Sequence, residues 1–571
     1  MKMSGSYYTP EPLARFAAQY VRKICNKAGR LKVLEPSCGD GAFLSAIYVE
    51  LNNGAGLEVD AIEINQIALD SARDIKTPLG INVTYHLADF LDLRAELTSN
   101  YDVIIGNPPY ISYSHLTEQQ MQLCRELHDI NNLSSNRIRN IWTSFLVGSV
   151  NLLSEDGVLA FVLPSEFLQV QYATELQNLL KDNFSRIDIF TFTKIIFEGI
   201  EQDTILVVAT RCSDEKGLFF ASINSLSQLD TDNYFIEQHN NERFKWNCHI
   251  LNKLELQLVE EISDMFPSLG NMSNMAAGIV TGADKFFVLS SDTVAKYNLE
   301  KFVVPIIKSA AHVGSSVEID IALLEDNKSA GLRSCLLDLR NYTDCRDNHA
   351  VSEYIAMMYN ADISTRHKCS RRVPWYVVPN VWSSELVFFK RAHKYPKLLL
   401  NTANTLVTDS AYRISLHEEY DGKSVVRSFY NSLTLLLAEL EGRSYGGGVL
   451  EVTPNECRKL RIPYHKMSTR HFEQFKNSFK SSTDLNQVIS ENDRLLLQQI
   501  GRLSESTVTQ LQRIREKLMA RRLGKMNPVS DINRSSLLCS EFVNLCGSNP
   551  PSLGANQIST KVTNTPLLAA G

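Results

Sequence analysis

The sequence is most informative first in what it lacks. Its 571 residues include eleven cysteines, yet no two form a CxxC pair and none has a histidine at metal-binding spacing. That excludes a disulfide framework and gives no sign of a zinc or other metal site. No apolar run is long enough to span a bilayer, the best being 158–163 and 433–437. The opening "MKMSGSYYTPEPL" has no apolar core of the signal-peptide kind. A cytoplasmic protein without a membrane partner is expected. There is no GxxxxGK[ST] phosphate loop, no PD…(D/E)xK nuclease pattern and no internal repeat. Cations are not in excess either: 58 Lys and Arg against 64 Asp and Glu leave a formal charge of -6, which over the whole chain argues weakly against a polyanionic partner. What remains is ordinary globular composition, 44% hydrophobic and 21% charged, with length for two or three domains.

What is present is concentrated around "YDVIIGNPPY", residues 101–110. Val103, Ile104 and Ile105 read as a strand buried on both faces, and Gly106 as its exit. Asn107, Pro108, Pro109 and Tyr110 then lie past the carboxyl end, where open parallel sheets bind ligands. Two prolines fix φ and remove two amide donors, so the Pro108 carbonyl and the Asn107 side chain become rigid acceptors next to the aromatic ring of Tyr110. That combination suits an amino group on a flat ring, or a planar side-chain amide. Upstream, "LKVLEPSCGDGAF" reads as a strand (31–34), a glycine turn at Gly39 and Gly41, and a helix start with unpaired amides. A second strand, "LEVDAIEIN", ends in Glu63, about 20 residues on, where an acidic side chain can take ribose hydroxyls. A third, "INVTYHLADF", brings Asp89 and Phe90 to the same edge as acceptor and stacking ring. Alternatively Glu63 is a surface carboxylate, Asp89 a helix cap and Phe90 core. Before these, "SYYTPEPLARFAAQYV" reads as a loop and helix with Thr9 as N-cap, Pro10 at the first position and Leu13, Phe16, Ala17 and Tyr20 on one face. The pattern calls for a nucleoside cofactor without a demanding phosphate chain.

In this order, "YYTPEPLA", "LEPSCGDGAF", "EIN", "ADF" and "NPPY" resemble the motifs of gamma-class (Taq-type, Eco57I-like) S-adenosylmethionine-dependent DNA adenine-N6 methyltransferases. The resemblance implies that Thr9, Glu35, Cys38, Gly39, Gly41, Glu63, Ile64, Asp89 and Phe90 surround S-adenosyl-L-methionine. It implies that Asn107, Pro108 and Tyr110 hold the base. "DGVLAFVLPSEFL" resembles the family's next strand, and "KIIFEGIEQDTILVVA" supplies a second aromatic wall at Phe197, with Phe190 and Phe192 nearby. Glu35 and Cys38 stand where other methyltransferases carry an aromatic residue and a glycine.

The fold class expected is α/β: a Rossmann-like methyltransferase sheet with a C-terminal mixed α/β-rich DNA recognition domain and a helical tail. The catalytic domain is assigned to 1–245, target recognition to 246–480, a helical segment to 481–525 and a loosely ordered tail to 526–571. "GIVTGADKFF" and "RSYGGGVLEVTPNECRKLRIP" resemble recognition-domain segments. Between 361 and 400 the cations Arg366, Lys368, Arg371, Arg372, Lys390, Arg391, Lys394 and Lys397 face only Asp362 and Glu385. Interleaved with Trp375, Tyr376, Phe388 and Phe389, they suit phosphate contact, or form a solvated surface over core aromatics. Leu511, Ile514 and Leu518 mark one helical face, with Arg513, Lys517, Arg521 and Arg522 elsewhere, either touching DNA or capping the domain.

The activity implied is site-specific N6 methylation of a flipped adenine in double-stranded DNA, with a separate cognate restriction endonuclease as partner and no metal. Three rivals stand beside it. A protein glutamine-N5 methyltransferase shares "NPPY" but has no use for the basic second half. A fused restriction and modification enzyme would need a nuclease domain, for which no room precedes "YYTP". A non-catalytic DNA-binding specificity protein would not need an intact "NPPY".

Overall fold

The computed structural model describes residues 9–524 except 26, 53, 193–203, 224–233, 235, 240–242, 342–348 and 482–484. Phe197 and the segment 526–571 therefore lie outside the described residues.

The first half is built on β1 (Leu31–Glu35), β2 (Leu57–Glu63), β3 (Ile81–Leu87), β4 (Tyr101–Gly106), β5 (Leu153–Pro164), β6 (Arg186–Phe192), β7 (Thr204–Thr210), β8 (Gly217–Ile223) and β9 (Ile236–Gln238). They form one sheet in the order β3-β2-β1-β4-β5-β7-β6-β8-β9. From β3 to β5 all pairings are parallel, and β7 enters antiparallel between β5 and β6. The strand order reverses at β1 and β4, so the crevice beyond their carboxyl ends is the expected ligand position. Every residue of β4 is buried, as its unbroken apolar run requires.

Helices cover both faces: α1 (Glu11–Ile24), α2 (Ala42–Glu50), α3 (Gln66–Arg73), α4 (Phe90–Leu93), α5 (Glu118–Ile130), α6 (Trp142–Leu152) and α7 (Thr174–Asn183). The apolar stripe of α1 packs as its spacing predicts. Leu13, Phe16, Ala17 and Tyr20 are buried, and the Phe16 ring meets Phe190 edge-on at 5.0 Å. Its start differs from expectation. Pro10 is the N-cap, with no side-chain cap bond, and Pro12 lies in the first turn. Thr9 is drawn away to the site.

The second half holds a five-stranded sheet ordered Ser273–Ala277, Ala411–Leu416, Leu386–Phe389, Lys397–Asn401, Glu318–Ile319, with smaller sheets of four and three strands. At its centre the helix Ser432–Glu441 is buried along its whole length. The chain crosses between halves at Phe244–Cys248. Trp246 packs against Phe167 of the first core at 5.6 Å, while Phe244 and Cys248 join the second core.

In the segment assigned to a separate helical part, 481–525, the described residues 485–524 share the second core. Leu511, Ile514 and Leu518 of the helix Glu505–Arg522 are buried with Leu433, Leu436 and Leu440. Three of its cations are taken by protein, Lys517 by Glu255, Arg521 by His249, and Arg522 by Glu439 with both bonds 2.7 Å, while Arg513 is exposed. Of the two readings of that helix, the structure favours the cap.

Candidate active site

Four strand ends build the site. At β1, Cys38 N donates to Ile62 O and Gly41 N to Cys38 O, tightening the turn before α2. Gly39 and Gly41 both have positive φ, +54° and +92°. Their reasons differ. A Cβ on Gly41 would lie 2.3 Å from Ile75 Cδ1 and 3.3 Å from Ala72 Cα, so its neighbours would have to shift, whereas the space before Gly39 is open. Cys38 is buried, and burial pushes its thiol well up from the usual range.

At β2, Glu63 grips the turn. Its carboxylate accepts from Gly39 N at 3.0 Å and Asn65 N at 2.8 Å. The next residue, Ile64, is an apolar side chain left 63% exposed. At the end of β1, Glu35 is only 1% exposed and its Oε2 has no hydrogen-bond partner. Burial, then the neighbouring Glu63 and Asp40 carboxylates, push its carboxyl well above the usual range. A buried carboxyl of this kind, at a cluster of acids, fits a cationic ligand.

At β3, Asp89 caps α4: Oδ1 accepts from Leu91 N at 2.9 Å, and Oδ2 from Gln120 Nε2 at 2.8 Å. Phe90 is 1% exposed, its ring 4.9 Å from Phe145 and packed on Gly148. The ring thus belongs to the first core. Gln120 had a signal of its own, the capping box Thr117–Gln120 that opens α5.

At β4, Asn107 is held from two sides. Its Nδ2 donates to Thr9 Oγ1 at 3.1 Å, and its carbonyl accepts from Ser37 Oγ at 3.2 Å. Thr9 thus serves the site through Asn107, which explains why it does not cap α1. The Tyr110 hydroxyl donates to Val162 O of β5 at 3.0 Å, anchoring the ring to the neighbouring strand. Pro108 is buried, while Pro109 and Tyr110 are half-buried. The structure therefore brings together Thr9, Glu35, Cys38, Gly39, Gly41, Glu63, Ile64, Asp89, Asn107, Pro108 and Tyr110 along one sheet edge.

The candidate DNA contacts divide. Arg366, Lys368 and Arg371 are exposed. Arg372 is not: its guanidinium donates to Thr281 O and Val280 O, both at 2.8 Å, and pins the loop at Gly282. Lys390 is half-buried, and Arg391 pairs with Glu451 at 3.0 Å. Lys397 bonds to Gly314 O. Phe388 and Phe389 are core residues of their strand, and Trp375 and Tyr376 are half-buried against each other, with ring centroids 5.6 Å apart.

Residues 53–197 match the family model described as Eco57I restriction-modification methylase, and residues 243–497 that described as Type II methyltransferase M.Eco57I, C-terminal domain. The chain belongs to the Eco57I-like, gamma-class methyltransferases. It is 26% identical over 487 residues to the Type II methyltransferase M.AccI of Acinetobacter calcoaceticus, covering 80% of this chain and 85% of that one. Over 321 residues it is 22% identical to the Type II methyltransferase M.HindII of Haemophilus influenzae, covering 52% and 57%. The structure of the Type IIL restriction-modification enzyme MmeI in complex with DNA has a similar fold, with TM-score 0.53 and 13% identity over 94% of this chain and 75% of that one. Both halves of the family's architecture are thus present. Among the described residues no cluster of three His, Cys, Asp or Glu could hold a metal, and no helix is long and apolar enough to cross a membrane.

Proposed function

We propose that this Eco57I-like methyltransferase methylates N6 of an adenine turned out of double-stranded DNA, as the modification enzyme of a restriction-modification system. The observation that carries the reading is the clamp on Asn107 by Thr9 and Ser37, at the end of β4 beside the glycine turn. S-adenosyl-L-methionine supplies an already activated methyl group when bound. Glu63 and the open space before Gly39 suit its ribose, Ile64 its adenine face, and the buried Glu35 carboxyl its positive charge.

The chain's own residues act on the base. The amine of adenine is a poor nucleophile because its lone pair is delocalised into the ring. With Nδ2 committed to Thr9, the Asn107 amide presents its oxygen on the other side, and the Pro108 carbonyl stands next to it. Two acceptors on the two N–H bonds draw the nitrogen toward a tetrahedral arrangement and localise its lone pair. Tyr110, fixed through Val162, offers the base a ring face, and a base within a duplex must leave the stack to reach it. Phe197 is proposed as the opposite wall.

The second half supports DNA over a protein glutamine as substrate: it matches the family's C-terminal domain and carries exposed Arg366, Lys368 and Arg371. Lys390 and Arg391 are assigned to phosphate contact with them. Cleavage is assigned to a separate endonuclease. The test is transfer of labelled methyl to DNA in EDTA, followed by mapping of the modified base. Methyl on a protein glutamine, methyl on cytosine, or magnesium-dependent cutting would each overturn a stated part.

A further inference from the structure

Gln169 has no place in the chemistry above, yet its environment is unusually specific. It follows the strand β5 and the turn Ser165–Leu168, and it is 8% exposed. Its Nε2 donates to Ser444 O, and its Oε1 accepts from Ser444 N, each at 2.9 Å. A side-chain amide thus pairs with a backbone peptide unit as a neighbouring strand would, across the junction of the two halves.

The strand it grips, Arg443–Tyr445, pairs antiparallel with Val449–Glu451, which pairs in turn with Arg391–Ala392. On the other side, β5 accepts the Tyr110 hydroxyl at Val162. Hydrogen bonds therefore run from the strand carrying Arg391 through Ser444 to Gln169, which the short turn Ser165–Leu168 joins to the strand that anchors the base-holding loop. We propose that Gln169 is a positioning residue that fixes the orientation of the recognition half over the Asn107–Tyr110 loop. This rests on the DNA-methylation reading. Positioning is where rate is most sensitive, since a shift of about 1 Å in a reacting group can cost on the order of a hundredfold.

The neighbouring contacts make the choice of variant clean. Lys245 bonds to Glu441 O and Glu456, and Asn247 Nδ2 to Leu440 O, so the halves stay joined without Gln169. In Gln169→Leu both bonds are lost at nearly constant volume. In Ser444→Pro only the donor facing Gln169 goes, because Ser444 directs its N–H away from Val449–Glu451, an edge position that tolerates proline.

Wild-type methyl transfer to DNA is measured first; if there is none, the functional reading fails and the positioning idea is not what failed. With activity in hand, both variants should keep cofactor and DNA dissociation constants within about twofold. Their single-turnover methylation rate should fall tenfold or more, with a weaker fluorescence rise from 2-aminopurine at the target position. Gln169→Glu, which keeps the acceptor for Ser444 N–H, should fall between. A rate within twofold of wild type in either variant overturns the proposal. So does a parallel loss of DNA affinity and melting temperature in both, which would make Gln169 mere glue.

Discussion

At the sheet edge, motif and geometry coincide; in the basic stretch they do not. Around the glycine turn Glu63, Asn107 and Tyr110 are each held by a named backbone or side-chain partner and so have one orientation each. In the basic stretch, similar side chains do different jobs. Arg372 binds two loop carbonyls, while Arg371 next door is exposed. A site made by strand ends inherits its geometry from the sheet, whereas a charge count says nothing about which cations the fold has already used.

The comparison breaks most visibly at Asn107. Asn107→Ala should leave cofactor affinity unchanged and lower the single-turnover rate by about 100- to 1000-fold, the usual cost of removing one preorganised polar contact in an active site. Near-normal turnover would show that the clamp from Thr9 and Ser37 is structural only. Next comes Glu63. Glu63→Ala removes the acceptor for Gly39 N–H and Asn65 N–H as well as the proposed ribose partner, and should weaken S-adenosylmethionine by about 2–3 kcal/mol. Calorimetry that finds equal affinity would leave Glu63 only its grip on the turn.

How far the sequence reveals this depends on how local each cause is. The strand 101–106, its proline-stiffened exit and the three strands before it follow from short apolar runs and turn residues, and they were legible. Thr9 was misread as a cap because the partner that claims it, Asn107, lies 98 residues away. Phe90 fits both a stacking ring and a core ring until α6 is seen against it. Phe388 and Phe389 sit in a strand buried on both faces, where no alternation distinguishes wedge from core. Gln169 had no signal at all, since its meaning lies in a peptide unit 275 residues on.

A third test concerns the buried acid at the same edge. The Glu35 carboxyl is raised in the folded chain, so it holds its proton to higher pH than in the unfolded chain. Its contribution is fully present below the unfolded pKa and is lost as pH rises through the folded one. In the protein without cofactor, stability should therefore decline over that window by up to about 1.4 kcal/mol per pH unit. Glu35→Gln should flatten the decline while weakening the cationic cofactor. An unchanged pH slope of the denaturation midpoint would remove Glu35 from both roles.

The smallest effect tests the basic stretch itself, by separating two adjacent arginines. Arg371 is exposed, so Arg371→Gln should leave the melting temperature in place and reduce the salt dependence of DNA binding by about one unit, the value for one lost phosphate contact. Between low and moderate salt that is a change of only a few-fold in affinity, equal across DNA sequences, because phosphate contacts position without specifying. Arg372→Gln should do the reverse. It gives up bonds to Val280 O and Thr281 O, so the loop at Gly282 loosens and the melting temperature falls. Its salt slope should change less than that of Arg371→Gln, since its guanidinium is already bonded to two loop carbonyls. If instead both variants lose the same salt slope at constant stability, the two cations are equivalent and the division drawn here between anchored and available charge is wrong.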